Sequence, residues 1–192
     1  MAKDTKEIIS QALLKISSEN GKFTIEEISN RSYITRATIM KNFPNGIPEI
    51  IEYLGSQIID NVNQELFKHD PDKLSLEQFA DIILPILWEN KDSAQIMYTT
   101  SLPFHPIPIA TNSAWTWVEN RYNRLVKVHN LSPYISGKEL LVYWNSYLIS
   151  VLMFWLLNDN PLEPKEFRPK FLFLMRTSLN DLIFKTKKSI QD

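Results

Sequence analysis

The sequence predicts an all-α protein: a small N-terminal three-helix domain over residues 1–54, followed by a larger helical domain over residues 55–192. Three observations carry this. Apolar residues recur at three- and four-residue spacing along most of the chain, and no stretch shows a convincing strand pattern. Glycine is scarce, only Gly21, Gly46, Gly55 and Gly137, which favours helices with few turns and leaves no Gly-rich phosphate loop. Residues 21–43, GKFTIEEISNRSYITRATIMKNF, hold the start and stop signals of two short helices joined by a tight turn.

The first helix spans residues 4–19, with Ile8, Ala12, Leu13 and Ile16 on one face and Asn20-Gly21 as its stop. Thr24 and Glu27 have the spacing of a capping box: the threonine oxygen accepts the third helical amide, and the glutamate reaches back to the cap. Ile25 and Ile28 form one face of this short helix. Ser32-Tyr33-Ile34 has no helical period and is the turn. Thr35 then caps a second short helix, residues 36–42. Ile25, Ile28, Ile34, Ile39 and Phe43 are its inward side together with its partner, leaving Arg36, Ala37, Thr38, Met40, Lys41 and Asn42 outward or at the edge. An apolar back with an Arg/Thr/Lys/Asn front suits reading of a major groove.

Pro44-Asn45-Gly46 is a break, and Pro48 lies in the first turn of a long helix reaching about residue 69, roughly 35 Å at 1.5 Å per residue. Asp70-Pro71-Asp72 is a turn. A helix over 75–89 contains Pro85, expected to kink it or end it early. A shorter helix follows over 93–101, then a loop with Pro103, Pro106 and Pro108. Further helices are expected over 110–130, over 140–158 and over 166–187, the last following Pro164 and Pro169 and carrying Phe171, Leu174, Met175, Leu179, Leu182 and Ile183. Its end, with Lys185, Lys187 and Lys188, suits a helix C-terminus.

The formal net charge is -1, so any nucleic-acid contact depends on local placement of charge. Seven basic and seven acidic residues balance over 1–54, whereas 22–43 holds four basic and two acidic. Cysteine is absent, which excludes disulfides, thiol nucleophiles and cysteine metal sites and fits a cytoplasmic location. No signal peptide is expected. His69, His105 and His129 are far apart, and no metal-ligand spacing or nucleophile elbow is present. Neither an enzyme, a cofactor nor a metal site is expected.

The first 54 residues resemble the DNA-binding domain of the TetR family of transcriptional regulators. The residues that carry the likeness are Gly21-x-Phe23-Thr24-Ile25-x-x-Ile28, then Ile34-Thr35-Arg36-x-Thr38-Ile39, ending in Phe43. The resemblance implies a homodimer that sets the second short helix of each subunit in a major groove of a palindromic operator. It implies that Thr24 binds phosphate, that Thr35, Arg36, Ala37 and Thr38 face bases or phosphates, and that Met40, Lys41 and Asn42 take the remaining outward positions. The sequence departs from the family at Ser32-Tyr33, where Ala-Gly is usual, at Met40 and Asn42, and at Gly46-Ile47, where Lys-Glu is usual. Arg36 is the candidate for reading guanine; the plainer reading is a surface arginine paired with Glu26 or Glu27. Tyr33 is a candidate phosphate contact, or else a ring covering Ile34.

Most tryptophans and tyrosines lie after residue 85, and Trp88, Tyr98, His105, Trp115, Tyr122, Tyr143 and Tyr147 are the candidates to line a site for a small apolar or aromatic effector. For any one of the aromatic residues, core packing is the commoner role. Residues 140–158 carry no charge and meet the length criterion for a membrane span. Asn145, Ser146, Ser150 and the absence of a flanking basic cluster favour a helix buried between its own domain and a twin subunit. The resemblance supplies the corresponding four-helix dimer interface, made with the last helix. The expected function is a ligand-responsive repressor. The alternatives are a dimeric interaction protein whose helix pair has lost DNA binding, a helical carrier or enzyme for an apolar molecule, and a membrane-inserted protein.

Overall fold

A computed structural model describes residues 4–19, 21–70, 73–99, 112–130, 132 and 134–177, apart from the side chains of 112–118 and 121. The described residues form α1 (Thr5–Ser18), α2 (Ile25–Ser32), α3 (Arg36–Asn42), α4 (Ile47–Leu66), α5 (Leu76–Glu89), α6 (Lys91–Thr99), α7 (Asn112–Val128), α8 (Gly137–Leu156) and α9 (Pro164–Arg176). Among them there is no strand, so the described part of the chain is all-helical as its apolar periodicity predicts. The proline-rich stretch 103–108 and the expected continuation of the last helix through Leu179, Leu182 and Ile183 lie outside the described residues.

Five helix starts, those of α1, α2, α3, α5 and α8, follow short polar side chains that satisfy the free amides of a first turn. Asp4 accepts from the Lys6 amide, Thr24 from Glu27 and Thr35 from Thr38. Ser75 with Gln78, and Ser136 with Glu139, form complete capping boxes. The expected box at Thr24 forms only by half. The Glu27 carboxylate pairs instead with Arg31 one turn later, at 2.8 Å, because a full opposite charge on its own helix outcompetes a neutral amide. Gly21 closes α1 by donating its amide to the Ile16 carbonyl at 2.9 Å, and a Cβ there would meet Ile16 Cγ2 at 2.8 Å.

Several helix ends differ from the sequence expectation, among them α8, which begins at Gly137 rather than Leu140. α4 stops at Leu66, three residues short, and is about 30 Å long. α5 does not end early at Pro85 but continues to Glu89. Pro85 is exposed, while Ile83, Leu84 and Leu87 around it are buried, so packing of the apolar face offsets the lost hydrogen bond. α9 begins at Pro164, at the position where a missing amide matters least, and takes in Pro169.

The helices close over two hydrophobic cores. The first joins Ile9, Leu13 and Ile16 of α1, Ile28 of α2, Ile39 of α3, Phe43, and Ile50, Ile51 and Leu54 of α4. The second joins Ile58 and Val62 of α4 to Ala80, Ile83, Leu84 and Leu87 of α5, to Leu148, Val151, Leu152, Trp155 and Leu156 of α8, and to Phe167 and Phe171 of α9. α4 therefore passes from one core into the other between Leu54 and Ile58. α6 bridges them, with Ile96 in the first and Ala94 in the second. Each fully buried Leu, Ile or Phe contributes about 1.5–3 kcal/mol.

α5 and α9 are also joined by two ion pairs, Arg168 Nε to Asp81 Oδ1 at 2.5 Å and Arg176 to Glu77. The Arg176 hydrogen bond holds the Glu77 carboxyl below its ordinary range, and the Arg168 hydrogen bond does the same to Asp81. A carboxylate whose folded-state pKa is depressed adds stability above its unfolded pKa and loses it as the pH falls through the folded value. The expected outcome is that wild-type stability drops as pH is lowered through and below about 4. The double variant Asp81→Asn, Glu77→Gln should show a shallower drop over the same range, as read by urea unfolding at a series of pH values.

Candidate nucleic-acid interface

α2 and α3 form one unit because the turn between them is tied by its own side chains. Ser29 Oγ donates to the Ile34 carbonyl at 2.7 Å, and the Ile34 amide donates to Ser32 Oγ at 3.2 Å. The chain reverses through Tyr33, at φ 57° and ψ 25°, the left-handed region where a side chain costs roughly 1–2 kcal/mol. Tyr33 is 95% exposed, so its ring does not cover Ile34. Ile28, Ile39 and Phe43 are fully buried, Ile25 and Ile34 pack partly against them, and the inward side has the composition expected from the sequence. Gly46, at φ 70°, opens α4, in a backbone conformation that a lysine adopts only with strain.

The outward side divides into two groups. Thr24, Thr35, Thr38 and Asn42 are engaged with helix ends or backbone. Thr24 and Thr35 are the caps, the Thr35 and Thr38 hydroxyls lie 2.9 Å apart, and Asn42 Nδ2 donates to the Thr38 carbonyl at 2.8 Å. Arg36, Ala37, Met40 and Lys41 are exposed along α3, and Tyr33 stands beside them on the turn. This free front offers two cations, a small apolar side chain, a thioether and a phenol.

Its electrostatics are leaner than the residue count implies. Arg36 Nη2 pairs with Glu26 Oε1 at 2.6 Å, and Arg31 pairs with both Glu27 and Glu19, at 2.8 and 2.5 Å. Of the four cations in 22–43, only Lys22 and Lys41 pair with no carboxylate among the described residues.

The five effector candidates whose side chains are described do not come together as one group. Trp88, Tyr98 and Tyr147 pack around the second core. Trp88 stacks on Trp155 at 5.9 Å, Trp155 stacks on Phe167 at 4.6 Å, and Lys91 lies 4.6 Å above the Trp88 ring. The Tyr147 hydroxyl donates to the Leu174 carbonyl at 2.8 Å, and burial pushes the Tyr98 phenol up to about 12. Tyr122 packs against Gly137 and donates to the Ile135 carbonyl at 2.5 Å. Tyr143 is 67% exposed on α8, away from that core. His105 and the Trp115 side chain lie outside the described residues.

Two residues that sequence reasoning did not single out stand out here. Ile96 of α6 is buried in the first core; it is far along the chain from the helices it joins, so no local pattern marks it. Asn63 on α4 is 5% exposed, and its side-chain Nδ2 has no hydrogen-bond partner. Val62 lies between Asn61, which is exposed, and Asn63, which is buried, and residue type alone does not separate the two. Glu26 was named with Glu27 as a partner for Arg36 in the plainer reading, and it is the one of the two that pairs with it.

The strained backbone at Tyr33 carries no buried area in return, and such outliers cluster at functional positions. Tyr33→Gly should therefore raise stability by about 0.5–1 kcal/mol, the left-handed penalty less the added freedom of glycine in the unfolded chain. Thermal unfolding checks this, and a lowered melting temperature would show that the ring stabilises the fold. No protein-family model, curated protein or solved structure matches the chain.

Proposed function

We propose that this chain is a DNA-binding transcriptional regulator, a ligand-responsive repressor that grips a palindromic operator as a homodimer, with α2 and α3 as its helix-turn-helix and α3 as the recognition helix. The observation that carries the reading is the two-sidedness of α3. Its Ile39, with the following Phe43, is buried with α1, α2 and α4, while Arg36, Ala37, Met40 and Lys41 stand exposed on one short, capped helix. A groove about 12 Å wide admits such a helix. Ala37 and Met40 suit thymine methyl groups, Arg36 suits guanine, and Tyr33 and Lys41 suit phosphate.

A second subunit is favoured by the outer face of α8. Tyr143, Ser146, Ser150, Phe154 and Leu157 recur at three- and four-residue spacing, are all exposed, and carry no charge. α8 is long and apolar enough to cross a membrane by length and composition, yet less than half of its most apolar stretch is buried. A solvent-facing helix ordinarily carries charge on such a face, and a two-fold twin laying the same face against it removes the exposure. The effector half of the reading rests on the unpartnered Asn63 amide and on α4 and α6, which each enter both cores. A molecule bound in the second region shifts α4 and α6 together, tilts α3, and takes the two half-sites off the roughly 34–36 Å spacing of one helical turn.

The lean charge of the front favours one competing reading, a dimeric interaction protein that no longer binds DNA. Selection of bound sequences from random DNA separates the two. The regulator should enrich a palindrome, and Arg36→Ala should weaken binding to it by about 1–3 kcal/mol. Enrichment of nothing at low salt would favour the interaction protein. For the dimer, Phe154→Glu places a charge on a face that is 56% exposed at that residue in the single chain. The expected result is a halved mass in sedimentation equilibrium with the helical content kept; a wild-type protein that is already monomeric would remove the twin subunit from the reading.

A further inference from the structure

We infer that Glu26 is a specificity-determining residue, which positions the Arg36 guanidinium for a guanine base and penalises its use on phosphate. The inference rests on the DNA-binding reading above. Glu26 lies in the first turn of α2 and Arg36 opens α3, so the ion pair between them crosses the turn from the supporting helix to the exposed one. The contact is 2.6 Å, between Nη2 and Oε1, and the two side chains are 59% and 66% exposed. Neither side chain is needed to fill a core.

The ion pair is made through Nη2. A guanidinium has five N–H donors in a planar fork, more than one carboxylate oxygen takes up, so donors remain for the two acceptors on the major-groove edge of guanine. Guanine is neutral and can be bonded while the carboxylate stays in place. A phosphate brings a negative charge toward Glu26 and is repelled unless the pair opens. An exposed arginine also carries large rotamer entropy, part of which the pair has removed before DNA arrives. Both effects raise the ratio of base-directed to phosphate-directed binding. Glu27 provides the comparison: one residue away, it carries the same charge but pairs with Arg31.

The test is selection from random DNA, followed by salt titrations, on wild type, Glu26→Gln and Glu27→Gln. Wild type should enrich a palindrome with a fixed guanine in each half-site. In Glu26→Gln the preference for that guanine should fall by about fivefold to tenfold. Its affinity for unrelated DNA should rise, with the salt dependence steeper by about one phosphate equivalent as the released Arg36 finds the backbone. Glu27→Gln should bind all DNA more tightly yet keep the guanine preference. If wild type enriches a palindrome and Glu26→Gln keeps its guanine preference, or both variants lose it equally, the inference is overturned and the DNA-binding reading stands. An operator without a fixed guanine overturns it in the same way. If wild type enriches nothing, the DNA-binding reading falls and takes the inference with it.

Discussion

α4 commits Ile50, Ile51 and Leu54 to one hydrophobic core and Ile58 and Val62 to the next, with one helical turn between the two sets. A helix is stiff over that distance, so neither core can reorient without moving residues of the other. α6 repeats the constraint from the outside, with Ile96 in one core, Ala94 in the other, and Met97 packed against both. Protein interiors are packed as densely as organic crystals. Exposing or misfitting one such residue costs on the order of 2–5 kcal/mol, a large part of the whole stability of a domain. Motion between the two halves is therefore confined to arrangements in which both cores remain closed, which is the kind of two-state element a ligand can bias.

Most of this frame was legible in the sequence because it depends on local chemistry. The N-caps at Thr24 and Thr35, the break at Gly46 and the apolar rows of α1 and α4 were all readable from residue type and spacing. The boundaries that differed were set by tertiary contacts. The half-formed cap at Thr24 has a local cause instead, the pairing of Glu27 with Arg31 one turn along the same helix. Pro85 did not stop α5, because Ile83, Leu84 and Leu87 bury the opposite side of that helix. Pro164 and Pro169 fell inside α9 rather than before it, since its anchor is the burial of Phe167 and Phe171. Propensity is a weak prior where a long apolar face has a core to fill.

The candidate site was legible to different depths. The front of α3 could be named residue by residue, since a seven-residue helix buried at Ile39 and followed by a buried Phe43 leaves little choice about what faces outward. The effector candidates could not, because an aromatic residue signals burial without saying where. Tyr147 ties its hydroxyl to the backbone of α9, while Tyr143, one turn earlier on the same helix, is largely in solvent. Ile96 and the orphaned Asn63 amide depend on contacts between distant segments and have no local signature.

The near-neutral front of α2 and α3 bears on how the proposed regulator works. Phosphate neutralisation supplies most of the non-specific affinity for DNA, and here Glu19, Glu26 and Glu27 offset two of the four cations. A single subunit would therefore bind any DNA weakly. In the proposed dimer, two subunits joined through α8 would convert the second contact into an intramolecular one, with an effective concentration that raises the affinity without any new contact. That gain exists only when both half-sites are reached together. A weak head thus makes release easy: a shift of α4 that breaks the spacing need not overcome strong phosphate contacts, because each half-site holds little by itself. In this reading the scarcity of charge leaves operator occupancy dependent on the geometry that α4 and α6 control.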